Sequence, residues 1–151
     1  MRVCFTSSSG GHFEQLLMLK SLFAEYDSFI VTEKTKYNQN FSEVPIYFTK
    51  QVNRRNVTYF IAFFYNVLFS FYIFGVKRPD IVVSTGVLST IPLCLIAKLF
   101  RKKVIYIESF AKINSPTLTG RVMYKFADIF YVQWPEMLKV YPKAKYIGGI
   151  Y

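Results

Sequence analysis

The chain has 151 residues, enough for one domain with a substantial core, and 52% of them are apolar or aromatic, including 16 Phe and 12 Tyr. Lysine and arginine outnumber the acidic residues by 19 to 9, which gives a formal charge of +10. A basic chain rich in aromatic residues favours an anionic partner: a membrane surface, a phosphorylated lipid or a nucleic acid. A nucleic-acid partner is not expected, because no recognisable nucleic-acid-binding module accompanies the charge.

The two cysteines and the N-terminus indicate a reducing compartment. Cys4 and Cys94 lie in apolar runs, so we expect small buried side chains rather than a disulfide. The spacing of cysteine and histidine suits no zinc site, and we expect neither a metal nor an organic cofactor. The first residues enter a strand without a signal-peptide pattern, which predicts a protein of the cytosol or of the cytosolic face of a membrane.

The chain opens with a predicted strand, a turn and a helix, at residues 2–6, 7–12 and 13–24. The turn contains Ser9, Gly10, Gly11 and His12. Free backbone N–H groups at a helix start, with glycines that allow close approach, suit a phosphate or diphosphate. The alternative is a tight turn with a serine N-cap. Neither a dinucleotide nor a P-loop motif is present, so neither of those sites is supported.

Further strands and helices alternate along the rest of the chain. Strands are predicted at 28–32, 45–49, 81–84, 104–107, 129–132 and 146–147, and helices at 57–76, around 92–100, at 121–127 and at 135–140. This alternation predicts an α/β fold: a single Rossmann-like, doubly wound parallel sheet over residues 1–151. Ligands of such sheets bind at the carboxyl ends of the strands.

That rule selects further candidate residues at the same edge. A second turn contains Gly86, Ser89 and Thr90, and Glu108 ends the next predicted strand. His12 and Glu108 are candidates for a base that accepts a proton from a hydroxyl group. The alternatives are a capping or solvated histidine, and a carboxylate paired with a nearby lysine. Asp80 and Asp128 precede strands at the opposite edge and are expected to be structural.

The residues 57–76 form an apolar, aromatic run long enough to span a bilayer. Thr58, Ala62, Asn66 and Ser70 recur every four positions, which is one narrow polar stripe on a helix. A span would divide the sheet between two sides of the membrane, so we expect an interfacial crossover helix. Burial against a partner subunit is the alternative. The predicted membrane contacts are basic flanks and aromatic side chains: Arg54, Arg55, Phe60, Phe63, Phe64, Phe71, Lys77 and Arg78.

Three stretches together resemble a known family. They are Ser9-Gly10-Gly11-His12, the segment 107–110 with Leu118-Thr119-Gly120, and 126–128 with 132–135. The set resembles the membrane-recruiting subunit of the split UDP-N-acetylglucosamine transferase of dolichol-linked oligosaccharide synthesis. It looks even more like short bacterial counterparts from capsule and exopolysaccharide clusters. More distantly, it is similar to the N-terminal half of the GT-B enzyme that acts in peptidoglycan synthesis.

The resemblance implies one N-terminal-type half of a GT-B glycosyltransferase. It implies a separate catalytic subunit that binds most of the UDP-sugar, a lipid-diphosphate-linked saccharide as acceptor, and a place at the cytoplasmic face of the plasma membrane. Gly10, Gly11 and His12 correspond to the glycine-rich loop of the family, Gly86 to the second turn and Glu108 to the strand end. The competing hypothesis is a membrane adaptor without active-site residues.

Overall fold

The computed structural model describes residues 1–36, 38, 41, 43–51 and 59–151. Its strands are β1 (Arg2–Ser7), β2 (Asp27–Glu33), β3 (Ile46–Thr49), β4 (Ile81–Ser84), β5 (Lys103–Ile107), β6 (Ile129–Val132) and β7 (Lys145–Tyr146). Its helices are α1 (Gly11–Leu17), α2 (Lys20–Glu25), α3 (Tyr59–Lys77), α4 (Ile91–Leu99) and α5 (Leu118–Phe126), with 3₁₀ turns at Leu88–Thr90 and Pro135–Lys139.

Within the described residues the strands form one seven-stranded sheet in the order β3-β2-β1-β4-β5-β6-β7, and every pairing is parallel. The predicted Rossmann-like, doubly wound sheet is therefore confirmed. The strand order reverses between β1 and β4, and we call the place beside the loops that follow these two strands the crevice. This is the place where such sheets bind ligands.

Alternating side chains of the strands supply the two faces of the core. On one face Val3 and Phe5 of β1 pack with Phe13 and Leu16 of α1 and with Phe23 of α2. The other face carries α3, α4 and α5. The period-2 pattern of buried strands thus determines which helix covers which face.

Both cysteines lie in the core on the face that carries α3, α4 and α5. Cys4 and Cys94 are free, and their side chains are fully buried. Burial raises the pKa of the Cys94 thiol to about 12, so the thiol is protonated and packs as a small apolar group. The sequence-based prediction of buried, unpaired cysteines is confirmed.

The prediction of one continuous helix over residues 13–24 is wrong, because two helices form there. α1 ends at Leu17 and α2 begins at Lys20. At the junction the Leu19 N–H donates to the Leu16 carbonyl at 3.0 Å, a bond of the 3₁₀ type that tightens the chain. Leu16 of α1 and Phe23 of α2 both pack against the sheet.

The polar stripe of the aromatic helix faces inward. The Asn66 side chain, fully buried in α3, accepts a hydrogen bond from the Lys50 N–H (2.9 Å) and donates to the Lys50 carbonyl (2.8 Å). Ser70 is also buried and donates to the Asn66 carbonyl at 2.6 Å. The outer face exposes apolar side chains instead: Phe60, Ile61, Phe64, Tyr65, Leu68, Phe71, Tyr72 and Val76. Thr58 lies outside the described residues.

Strand pairing limits how α3 can meet a membrane. By length and composition α3 could cross a bilayer. However, β1 precedes α3 in the chain and β4 follows it, and these two strands pair over four residues. Both ends of α3 therefore lie against the same sheet, and a crossing would require that pairing to break.

We predict that Asn66→Ala lowers the free energy of unfolding by about 1–3 kcal/mol, because the variant removes the buried amide that bonds the N–H and the carbonyl of Lys50 in a part-buried position. Urea denaturation followed by circular dichroism measures the change. Leu68→Ala, on the exposed face of the same helix, is the control and should change stability by less than about 0.5 kcal/mol. Equal effects of the two substitutions would contradict the assignment.

Candidate functional site

The loops after β1 and β4 meet through a reciprocal pair of hydrogen bonds. The Nδ1 atom of His12 lies 2.9 Å from the Thr85 carbonyl oxygen, and the Thr85 hydroxyl donates to the His12 carbonyl at 2.9 Å. The Ser8 N–H adds a bond of 3.0 Å to the Gly86 carbonyl. The two predicted turns thus form one site, and Thr85, which sequence reasoning did not select, holds them together.

This contact determines the tautomer of His12. A carbonyl oxygen can only accept, so Nδ1 carries the proton in the bond to Thr85. In the neutral ring Nε2 then keeps a free lone pair. The side chain is half-buried at the mouth of the crevice. His12 is therefore oriented to accept a proton or a hydrogen bond through Nε2.

The glycines leave open space beside the histidine. Gly10 (φ 69°) adopts a left-handed conformation that other residues rarely take. A β-carbon on Gly10 or Gly11 would meet no atom within 4 Å in the described part of the chain. Gly86 (φ 101°) instead packs under the imidazole ring of His12 and the hydroxyl of Tyr106. The first turn is thus open to a ligand, whereas the second turn supports the histidine.

Ser9 has an acidic neighbour that the sequence did not reveal. Its hydroxyl donates to the Oε2 atom of Glu33 at 3.2 Å, and Glu33 is buried at the carboxyl end of β2. A carboxylate repels phosphate, so this corner of the site suits a hydroxyl group better than an anion. The rule that selected Glu108 from the end of its strand would also have selected Glu33, had β2 been predicted one residue longer.

The residues of the second turn have different roles. The Thr90 hydroxyl donates to the Val87 carbonyl at 2.7 Å and lies 3.0 Å from the Ser84 hydroxyl, so it stabilises the turn itself. The Ser89 hydroxyl is buried and has no hydrogen-bond partner within the part of the chain that the structure describes. Of the two hydroxyls, that of Thr90 has hydrogen-bond partners within the described residues, whereas that of Ser89 is buried without one.

Glu108 lies behind the crevice rather than in it. Its side chain is 1% exposed, and its carboxylate accepts hydrogen bonds from the Ser109 N–H (2.9 Å), the Thr117 hydroxyl (2.9 Å) and the Tyr141 hydroxyl (3.0 Å). No ion pair joins it to a lysine or arginine among the described residues. Neutral donors therefore satisfy the carboxylate, which differs from the alternative of a carboxylate paired with a nearby lysine. The catalytic role remains an untested prediction.

The start of α5 and two tyrosines lie close to the carboxylate of Glu108. Thr117 caps α5 by accepting from the Gly120 N–H at 2.7 Å, so the carboxylate lies at the positive end of that helix. Burial, followed by the charge of Glu108, raises the pKa of both Tyr106 and Tyr141, which keeps the Tyr141 hydroxyl protonated and able to donate.

Two glutamines and an indole hold the loop that follows β5. Gln15 and Gln133 both donate to the Glu108 carbonyl, at 3.2 Å and 2.8 Å. The Trp134 indole N–H donates to the Phe110 carbonyl at 2.6 Å. The ring of Phe110 also packs against Tyr151, which brings the last described residues close to the glycine turn. The rim of the crevice is therefore fixed by buried amides.

The predicted membrane contacts have three kinds of environment. Phe60, Phe64 and Phe71 are exposed on α3, whereas Phe63 is half-buried in a groove between α3 and α4. The Lys77 ammonium lies 4.8 Å from the centre of the Tyr47 ring, and Arg78 is exposed. Arg54 and Arg55 lie outside the described residues.

The acidic residues at the opposite edge are structural, as expected. Asp80 accepts from the Arg2 N–H (3.0 Å) and the Lys102 ammonium (2.9 Å). The Arg2 N–H, followed by Lys102, lowers the pKa of Asp80. Asp128 accepts from the Val104 N–H (2.7 Å) and from Lys98 (2.6 Å). Both carboxylates join a helix end to the start of a strand.

Comparison with solved structures defines the class of fold. MurG from Acinetobacter baumannii matches 89% of the chain with a TM-score of 0.74 at 18% identity. The UDP-N-acetylglucosamine 2-epimerase from Rickettsia bellii matches 99% with a TM-score of 0.75 at 10% identity. The chain covers only 42% and 45% of these two proteins. Its fold is therefore the Rossmann-like half found in GT-B glycosyltransferases and in such epimerases.

The sequence identifies the family within that class. Residues 20–150 match the family described as "Oligosaccharide biosynthesis protein Alg14 like", and the chain belongs to this family. The UDP-N-acetylglucosamine transferase subunit ALG14 of Mus musculus is 28% identical over 99% of the chain and 83% of its own length. The subunit of Schizosaccharomyces pombe is 39% identical over 50% of the chain and 37% of its own length.

We predict that Gly120→Ala destabilises the protein by about 1–3 kcal/mol, because a β-carbon there would overlap the carboxylate of Glu108 and the hydroxyl of Tyr141. Thermal or urea denaturation measures the loss. Gly75→Ala in α3 is the matched control: among the described residues nothing lies within 4 Å of the new methyl group, and stability should rise by about 0.5–1 kcal/mol. If both variants were stabilised, the tight packing around Glu108 would be disproved.

Proposed function

We propose that this chain is the acceptor-side subunit of a two-subunit glycosyltransferase. It recruits a separate catalytic subunit to the membrane, and together the two form the active cleft. The acceptor is a lipid-diphosphate-linked saccharide, and the UDP-sugar binds mainly to the partner. The observation that carries the proposal is an oriented histidine between two joined turns at the switch point of the sheet, on a fold that makes up less than half of two larger structural neighbours.

An incompletely covered part of the sheet supports the need for a partner. On the face of α1 and α2, the side chains of Val83, Ile105, Ile107 and Tyr131 line a cavity of about 270 Å³ with the residues near Ile150. Sheets of this kind are normally covered on both faces. A partner subunit that packs here would cover the apolar surface and lie beside the crevice.

The geometry suggests how the acceptor is arranged. The backbone of Gly10 and Gly11, where the structure leaves open space, suits the diphosphate, and Ser89 and Thr90 of the second turn lie in the chain just after Gly86. The carboxylate of Glu33 beside Ser9 disfavours phosphate and suits a sugar hydroxyl group. His12 would accept the proton of the attacking hydroxyl through Nε2.

The exposed face of α3 supports membrane contact. Large apolar side chains cover it along the whole helix, and Arg78 lies just beyond its end. We place α3 in the interface of the cytoplasmic leaflet, where Lys77, Arg78 and the flanking Arg54 and Arg55 meet anionic headgroups. The resemblance to capsule and exopolysaccharide proteins supports a role in surface-polysaccharide assembly.

Reconstitution tests the proposal. The chain alone should transfer little or no sugar to a lipid-linked acceptor, and the addition of the catalytic subunit should raise turnover sharply, because each subunit holds half of the cleft. Radiolabelled UDP-sugar, with extraction of the lipid product, measures the transfer. Full activity of this chain alone, or no activity of the purified complex with any lipid-linked saccharide, would refute the proposal.

His12→Ala should reduce kcat of the complex by about 10²–10⁴-fold, the usual contribution of a general base. Complex formation and vesicle binding should stay unchanged. A normal rate would instead favour a pure membrane adaptor without active-site residues.

A further inference from the structure

A groove runs along the outer surface between α3 and α4. It encloses about 390 Å³, which lies within the usual range of small-molecule sites. All of its lining side chains are apolar: Phe63, Val67, Phe71, Ile91, Pro92, Leu95, Ile96 and Leu99. A groove of this composition offers no hydrogen bond to a polar ligand and suits a hydrocarbon.

The groove is straight because the two helices run in the same direction. Both helices follow a strand and return to the start of the next strand, so each begins at the carboxyl edge of the sheet. On α3 the lining residues are four apart, at Phe63, Val67 and Phe71, and on α4 Leu95 and Leu99 repeat the spacing. Eight residues of helix give the groove a length of about 12 Å at 1.5 Å per residue. These dimensions fit an extended chain.

One end of the groove adjoins the crevice. Ile91 and Pro92 line that end and follow directly on Ser89 and Thr90 of the second turn. The unpartnered hydroxyl of Ser89 therefore lies two residues from the start of the apolar lining. A molecule with a diphosphate at the turns would have its tail at the mouth of the groove.

We infer that the groove between α3 and α4 binds the hydrocarbon chain of the lipid-diphosphate acceptor, next to the diphosphate at the turns. The inference rests on the proposed function, and it adds a binding position for the lipid part of the substrate. The protruding side chains of α3, such as Phe64 and Leu68, enter the bilayer. The recessed groove takes the part of the acceptor chain that leaves the bilayer to reach the crevice.

The test places a large side chain in the groove and compares acceptors that differ in the length of their hydrocarbon chain. Val67→Trp places an indole in the groove, whereas Leu68→Trp adds the same side chain to the exposed face of α3, where Leu68 is 55% exposed. In the two-subunit complex, Val67→Trp should raise KM about tenfold for an acceptor with a long polyprenyl chain, as expected from lost contact with a few CH₂ groups. It should leave KM unchanged for an acceptor whose chain is too short to enter the groove. Leu68→Trp keeps an apolar side chain on the face that meets the bilayer, so the ratio of the KM values for long and short acceptors should stay the same.

Other results would overturn the inference. If Val67→Trp changed KM equally for long and short acceptors, or for neither, the groove would not bind the chain. Loss of vesicle binding by Val67→Trp alone would assign the groove to bilayer lipids, and loss of the complex would assign it to a partner helix. Absence of activity in the unmodified complex with every acceptor would refute the proposed function itself, which is a different outcome.

A second measurement does not depend on the folding of a variant. A photoactivatable polyprenyl diphosphate should label peptides from α3 and α4 in the unmodified complex, and unlabelled long-chain acceptor should suppress the labelling. A smaller substitution, Leu95→Phe, should reduce labelling at least about threefold while the thermal unfolding temperature remains close to that of the unmodified chain. Labelling confined to other segments would overturn the inference.

Discussion

The parallel pairing of β1 with β4 is the contact on which the other features depend. It joins the part of the chain before the aromatic helix to the part after it, so both ends of α3 lie against one sheet. It also sets the loops after β1 and β4 side by side, where His12 and Thr85 exchange two hydrogen bonds. One set of backbone hydrogen bonds therefore determines how α3 can meet a membrane and where the crevice forms.

The two faces of the sheet differ in how completely helices cover them. This difference suits a protein that works between a membrane and a partner. The face of α3, α4 and α5 is fully covered, and the outer surface of α3 is apolar. The opposite face is covered by α1 and α2 near β1, but Ile105 and Tyr131 remain only partly buried. Apolar surface on both sides is costly for an isolated domain, because neither area is removed from water until an assembly forms.

The two strand-end carboxylates show why residue type and position do not decide function alone. Glu108 directly follows β5, and its carboxylate accepts hydrogen bonds from neutral donors at the capped start of α5 and from Tyr141. Glu33 ends β2 and its carboxylate accepts a hydrogen bond from Ser9 of the glycine turn. Both lie at strand ends, and only long-range packing gives the two carboxylates different surroundings.

The sequence by itself determined the local elements and their alternation, because buried parallel strands and crossover helices have short-range apolar patterns. The strands at 81–84 and 129–132 occur where those patterns predict them, and the glycine turn follows β1 as expected. Only the tertiary structure decided that Asn66 faces inward, that Phe63 lines a groove, and that Thr85 fixes the tautomer of His12. Each of these depends on a contact between residues at least 16 positions apart, or between two helices, and no local pattern encodes such contacts.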